Sequence, residues 1–227
     1  MENMRRIRYL GHSGFEIEID DAIIYIDICT RNKISGHDRL IPDALDISSI
    51  KKADLLFVTH EHEGHCDPAA LKEIAERTYA SVIGPKPALA KVDVSNRLKV
   101  DVRTGDRFTV KGIDVEVVKA VHPQSVYPVG YVIKKGDFAV YHAGDTYSYV
   151  GMHEIKAGVA MLPIGGIDTM DAFDAGNACK EIRPTYAIPM HYNTFEKIKQ
   201  DAKEFESAVG ERTKAVILRV GEEVRFK

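Results

Sequence analysis

The apolar run Leu55-Leu56-Phe57-Val58 leads through Thr59 into His60-Glu61-His62-Glu63-Gly64-His65. A short apolar run of this kind reads as a strand buried on both faces. Three imidazoles within six residues at its end are suited to holding a metal ion. Three further predicted strands end in the same way. Val115 to Val121 leads to His122, Phe138 to Tyr141 leads towards Asp145, and Ala187 to Met190 leads to His191. In α/β sheets, sites gather at the carboxyl ends of strands, where loops converge. Core packing alone does not account for a strand-then-ligand pattern repeated four times.

The remaining elements agree with such a sheet. Strands are expected at Ile7 to Leu10, Phe15 to Ile19, Ala22 to Asp27 and Asp54 to Thr59. Asp67-Pro68 opens a helix through Arg77, with Asp67 as N-cap and Pro68 at the first helical position. Short strands follow at Ala80 to Ile83, Leu98 to Val100 and Arg107 to Val110, with a small helix near Pro87 to Val92. Val129 to Ile133 is a longer strand. The second half alternates strands at Val159 to Leu162 and Thr185 to Pro189 with helices at Ala172 to Ile182 and Phe195 to Ala208. Strands near Ala215 to Leu218 and Glu223 to Phe226 close the chain, and residues 31–50 read as an irregular excursion. The expected class is α/β, with sheets between helical layers, in one domain spanning residues 1–227.

Composition narrows the function. A net charge of −3 argues against general affinity for nucleic acid. No apolar run approaches a membrane span, and Met1 to Arg6 is not followed by a signal-peptide core. Cys29, Cys66 and Cys179 are too few and scattered for a disulfide framework. The expectation is a cytoplasmic protein acting on a small-molecule substrate, without nucleic-acid or membrane partners; a homo-oligomer is left open. Five histidines and a carboxylate suit one or two divalent ions, zinc first, with manganese or iron as competitors.

Several ordered motifs resemble those of the metallo-β-lactamase superfamily, and within it the UPF0173-type or ascorbate-phosphate-lactonase-like metal-dependent hydrolases. They are Gly11-His12-Ser13-Gly14-Phe15, Tyr25-Ile26-Asp27, Thr59 to Asp67, Tyr141-His142-Ala143-Gly144-Asp145-Thr146, Leu162-Pro163-Ile164-Gly165-Gly166 and Pro189 to Phe195. The resemblance implies a four-layer αβ/βα sandwich of two mixed β-sheets flanked by helices. It also implies that His60, His62 and His122 hold one ion, that His65 and His191 help hold a second, and that Asp145 bridges them. A metal-activated hydroxide would cleave an ester, lactone or phosphoester bond. Asp27 and His12 are expected to orient ligands, with a structural role in the first hairpin equally open for His12. Thr169 and Asn193 are candidates for substrate contact or ordinary loop structure.

The family motif H-x-H-x-D-H has an aspartate where this chain has Gly64. Four readings follow: Glu63 swings into the space and shares catalysis with Asp145; Asp67 reaches in, against its blander N-cap role; the second ion is held weakly; or the chain is a degenerate metal-binding module without catalysis. His142 is expected as a packed strand residue, His37 and His153 as surface residues, and Cys66 as a small buried thiol.

Overall fold

In the computed structural model, which describes residues 4–226, two seven-stranded mixed sheets stack face to face. The first is built from β1 (Arg5–Gly11), β2 (Gly14–Ile19) and β3 (Ala22–Ile26). A small hairpin, β4 (Lys33–Ile34) and β5 (His37–Asp38), stands apart from it, and β6 (Leu55–Phe57), β7 (Ser81–Gly84) and β8 (Lys99–Asp101) complete its sequential part. The second sheet takes β9 (Arg107–Val110), β10 (Ile113–Lys119), β11 (Val129–Lys135), β12 (Phe138–His142), β13 (Val159–Pro163), β14 (Tyr186–Met190) and β15 (Lys214–Ala215). The last strand, β16 (Glu223–Arg225), returns to the first sheet beside β1, giving the order β16-β1-β2-β3-β6-β7-β8. In both sheets antiparallel pairs give way to parallel ones, at β3–β6 in the first and at β12–β13 in the second.

The period-2 alternation of strand side chains decides the layering. Ile24 and Ile26 of β3, Leu55 and Phe57 of β6 and Ile83 of β7 point into the core between the sheets. Tyr25, Leu56 and Val82 point the other way, onto Leu71, Ile74 and Ala75 of helix α1 (Pro68–Thr78) and onto Ala88 and Leu89 of α2 (Lys86–Leu89). The second sheet is covered by α3 (Ala172–Ile182), through Ala172, Ala175, Ala178 and Cys179. A short α4 (Ala202–Ala208) packs on α3, with Gly176 against Ala208. This is the expected four-layer sandwich. No helix among the described residues is long and apolar enough to cross a membrane.

Two local expectations are corrected. The helix predicted over Phe195 to Ala208 is two pieces, a 3-10 turn at Glu196–Ile198 and α4. Asp201 stops the first from running on: it is extended, and its carboxylate caps Lys203 N–H to start α4. Within the irregular stretch 31–50, residues 33–38 form the β4–β5 hairpin. Asp67 is the N-cap of α1; its carboxylate accepts from Ala70 N–H and also from the amide and hydroxyl of Thr30.

Behind the strand-end histidines, Tyr131 of β11 reaches across the core. Its ring meets Phe57 edge-on at 4.9 Å and its hydroxyl donates to the Val58 carbonyl at 2.8 Å. Tyr131→Phe removes that donor from a fully buried carbonyl-facing position and should cost about 1–3 kcal/mol, measured as a lower denaturation midpoint in urea with unchanged slope.

Candidate metal centre

The loops following β6, β10, β12 and β14 meet at one edge of the sandwich, and the turn between β1 and β2 joins them there. Asp145 lies at the middle, buried at 4% exposure. Its Oδ2 is 3.2 Å from His65 Nε2, 3.2 Å from His191 Nε2, 3.8 Å from His60 Nε2 and 4.0 Å from His122 Nε2. The carboxylate can approach so closely to the loop after β6 because Gly144 precedes it. Gly144 has φ +60°, and a Cβ there would fall 2.8 Å from Thr59 Cβ.

Hydrogen bonds orient the imidazoles. Asp27, with φ +48° at the end of β3, turns a fully buried carboxylate onto the next loop. Its Oδ1 accepts from Thr59 N–H, and its Oδ2 accepts from Thr59 Oγ1–H at 2.7 Å and from His65 Nδ1–H at 2.8 Å. Since the Thr59 hydroxyl proton is committed to Asp27, its oxygen accepts from His60 Nδ1–H at 3.0 Å. His122 Nδ1–H donates to the Asp168 carbonyl, and His62 Nε2–H to the Gln124 carbonyl. These bonds place a proton on the outward nitrogen of each ring; the lone pairs of His60 Nε2, His62 Nδ1 and His122 Nε2 converge, and His65 Nε2 faces Asp145.

The donor set fits a divalent ion. His62 Nδ1 is 3.1 Å from His60 Nε2 and 3.2 Å from His122 Nε2. A tetrahedral ion with nitrogens at about 2.0–2.1 Å spaces them about 3.3 Å apart, so lone pairs that repel one another unaided match a shared cation. His65 Nε2 and Asp145 Oδ1 are buried without a hydrogen-bond partner, as is His191 Nδ1. Among the described residues the candidate ligand atoms fall into three groups, His60–His62–His122, His60–His65–Asp145 and His12–His65–His191, each within 4.8 Å.

Burial drives the His60 and His12 pKa values well below the usual imidazole range, keeping both neutral. Burial also opposes charge on His65, but Asp145 and Asp27 outweigh it and raise its pKa to about 10. Burial raises the Asp145 pKa by disfavouring the carboxylate, yet the charges and hydrogen bonds of His191 and His65 hold it well below its ordinary value. Asp145 and Asp27 thus draw His65 towards its protonated form.

Comparison with known proteins now decides the family. A model described as a β-lactamase superfamily domain matches residues 6–191. UPF0173 metal-dependent hydrolases of Thermofilum pendens and Staphylothermus marinus are 34% and 36% identical, covering 98% and 96% of this chain and 100% and 98% of their own. The chain belongs to the UPF0173 metal-dependent hydrolases of the β-lactamase superfamily. Igni18, a metallo hydrolase from Ignicoccus hospitalis, shares 33% identity and superposes with a TM-score of 0.81 over 99% of both chains.

Against this UPF0173 background the remaining expectations sort themselves. Glu63 does not fill the space beside Gly64: its carboxylate accepts from Ser35 N–H and the Arg31 guanidinium on the β4–β5 side. Thr169 is buried and bonds to the neighbouring Met170 carbonyl, and Asn193 Oδ1 accepts from Gln200 N–H. Both of these bonds stay local to the loop that carries the residue. Cys66 is a buried thiol pushed up to about 12 by burial, and His142 packs in β12 with Nε2 on the Ser13 carbonyl. His153 is exposed, as expected.

His37 is not a free surface residue. It stacks on Phe195 at 5.2 Å and, with Ile34, Ser35, Gln124, Ile167, Asp168 and Lys197, lines a cavity of about 270 Å³ over the cluster. Apart from Phe195, which closes the Pro189 to Phe195 motif, these wall residues carry no periodic or motif signal. Glu61, also missed, ties two ligand loops together by accepting from Ser125 Oγ and Val126 N–H.

The pKa of His65 sets a pH dependence. Folding raises it from 6.5 to about 10, so its contribution to stability is complete below the lower value and disappears as pH climbs through the upper one. The melting temperature of chelator-treated protein should fall across that window. A metal ion bound at His65 would displace the proton, so any gain in melting temperature on adding zinc should grow with pH over the same range.

Proposed function

We propose that the chain, acting as one domain, hydrolyses an ester, lactone or phosphoester bond of a small substrate. In this reading His60, His62 and His122 hold one divalent ion, zinc first and manganese or iron as alternatives. His65 and His191 help hold a second, with Asp145 shared between them. Such ions, when bound, supply Lewis-acid polarisation of the scissile group and acidify water towards neutrality. The single observation that carries the reading is the position of Asp145 Oδ2 within 4.0 Å of four histidine nitrogens.

The chain's own residues supply the rest. Asp145 Oδ1 has no partner in the protein and is the atom that accepts a hydrogen bond from an attacking water. In this reading it orients that water. The Asp27–Thr59–His60 chain and the Asp27–His65 bond hold the imidazoles rigid through turnover. At the cavity rim Lys197 offers a positive charge for a carboxylate or phosphate of the substrate, and Gln124 an amide. Ile34, Ile167 and Phe195 give the apolar walls that shield the centre from water. A cavity of about 270 Å³ favours a compact substrate over a polymer.

A metal-binding module without catalysis was motivated by the missing aspartate at position 64. That motive weakens, because the space beside Gly64 contains the His12 imidazole.

Zinc- and manganese-loaded protein should turn over at least one of an aryl ester, a lactone and a phosphodiester. Asp145→Asn should lower kcat/KM by roughly 100-fold or more, since it removes the carboxylate that this reading shares between the two ions. Absence of turnover on all three in fully metallated protein would refute the hydrolase reading.

A further inference from the structure

We propose that His12 is a direct ligand of the second ion, taking the place of the aspartate that position 64 lacks, and that Gly64 exists to admit it. The inference rests on the metal-centre reading above and concerns only the second of its two ligand groups.

Three independent observations lead there. First, a Cβ built on Gly64 would lie 2.4 Å from His12 Nε2 and 2.7 Å from His12 Cδ2. Gly64 has an ordinary backbone conformation, so what excludes a side chain is this ring and not strain. Second, His12 falls with His65 and His191 in one group whose ligand atoms lie within 4.8 Å of one another. Its ring centroid is 4.2 Å from that of His191 and 5.3 Å from that of His65.

Third, His12 is anchored so that only one nitrogen faces the centre. The Thr194 hydroxyl has the Tyr192 carbonyl as its acceptor, so its oxygen takes the His12 Nδ1–H at 2.9 Å. The Nε2 lone pair is then left towards His65 and His191, the orientation usual for a metal-bound imidazole with its other nitrogen hydrogen-bonded to the protein. The backbone is equally committed. His12 sits at φ +56°, and its carbonyl accepts from His191 N–H at 2.7 Å and Tyr9 OH at 2.9 Å. A left-handed histidine at 1% exposure, clamped by two donors, is a costly arrangement for a residue that only fills a hairpin turn.

The exchange alters the chemistry of the centre. Replacing a carboxylate by a neutral imidazole leaves Asp145 as the sole anionic ligand and raises the net charge of a two-ion centre by one. The second ion becomes a better electrophile and the site more selective for borderline-soft ions over magnesium or calcium.

The test titrates metal-depleted protein with zinc against a chromophoric chelator and counts zinc per chain after desalting. Unaltered protein should take up two zinc ions. His12→Gly, which suits the positive φ, should keep one at native affinity and weaken the other by more than about 100-fold. Gly64→Asp alone should also lose the second ion, because the new side chain displaces His12. The double variant His12→Gly/Gly64→Asp has room for the carboxylate, the next atom from a Cβ at 64 being Ile34 Cγ2 at 3.4 Å; it should recover two ions. His122→Ala, by contrast, should lose the first ion and keep the second.

Retention of two ions by His12→Gly at native affinity would overturn the proposal while leaving the metal centre intact. Uptake of no zinc by the unaltered protein would overturn both. Should the variants fail to fold by circular dichroism, anomalous diffraction from zinc-soaked crystals of the unaltered protein decides: an ion at bonding distance, about 2.0–2.1 Å, from His12 Nε2 is expected, and an ion bound to His65 and His191 but not to His12 refutes it.

Discussion

A carboxylate buried among four imidazoles is the constraint on which this molecule turns. Placing Asp145 at 4% exposure is costly unless positive charge meets it. The protein surrounds it with imidazoles from both sheets, His60 and His65 from the end of the first and His122 and His191 from the second, and Asp145 and Asp27 raise the pKa of His65. The interface between sheets is otherwise apolar, so its open edge is where this polarity can be gathered. Tyr131, tying the core to the Val58 carbonyl, and Glu61, tying the β6 loop to the β10 loop, keep that edge in register.

Asp27 extends the same logic outward. It is fully buried, and its carboxylate accepts from Thr59 and His65 in the loop that carries the candidate ligands. One carboxylate thereby sets the tautomers of His60 and His65 together. The backbone accepts strain to achieve this: Asp27, His12, Asp168 and His191 all have positive φ at strand ends or turns beside the cluster. Non-glycine residues seldom adopt that conformation, and their concentration here marks where tertiary contacts override local preference.

Glu63 and His12 show how a missing residue is answered in a folded chain. Glu63 is adjacent in sequence to the space beside Gly64 but is drawn off by Arg31 and Ser35. His12 is remote in sequence, and its ring stands where a side chain on residue 64 would go. Proximity along the chain was the weaker guide, because neighbouring residues in an irregular loop point in divergent directions while a turn on an adjacent strand pair can face the gap squarely.

Much of this protein was legible before folding was considered. Apolar runs with period 2 marked the strands, Asp67-Pro68 marked the start of α1, and the polar residues closing four runs named the cluster, because strand ends and caps are properties of a few consecutive residues. The cavity wall was not legible. His37 and Phe195 stack across a hairpin and a 3-10 turn that have no local signature, and the break before Asp201 interrupts an otherwise helical pattern. The sequence by itself determined the layers, the strand ends and the chemistry of the donors. Only the tertiary structure decided which donors face one another, including the meeting of His12 with Gly64, since that depends on the register and twist with which β1, β2 and β6 bring their distant ends together.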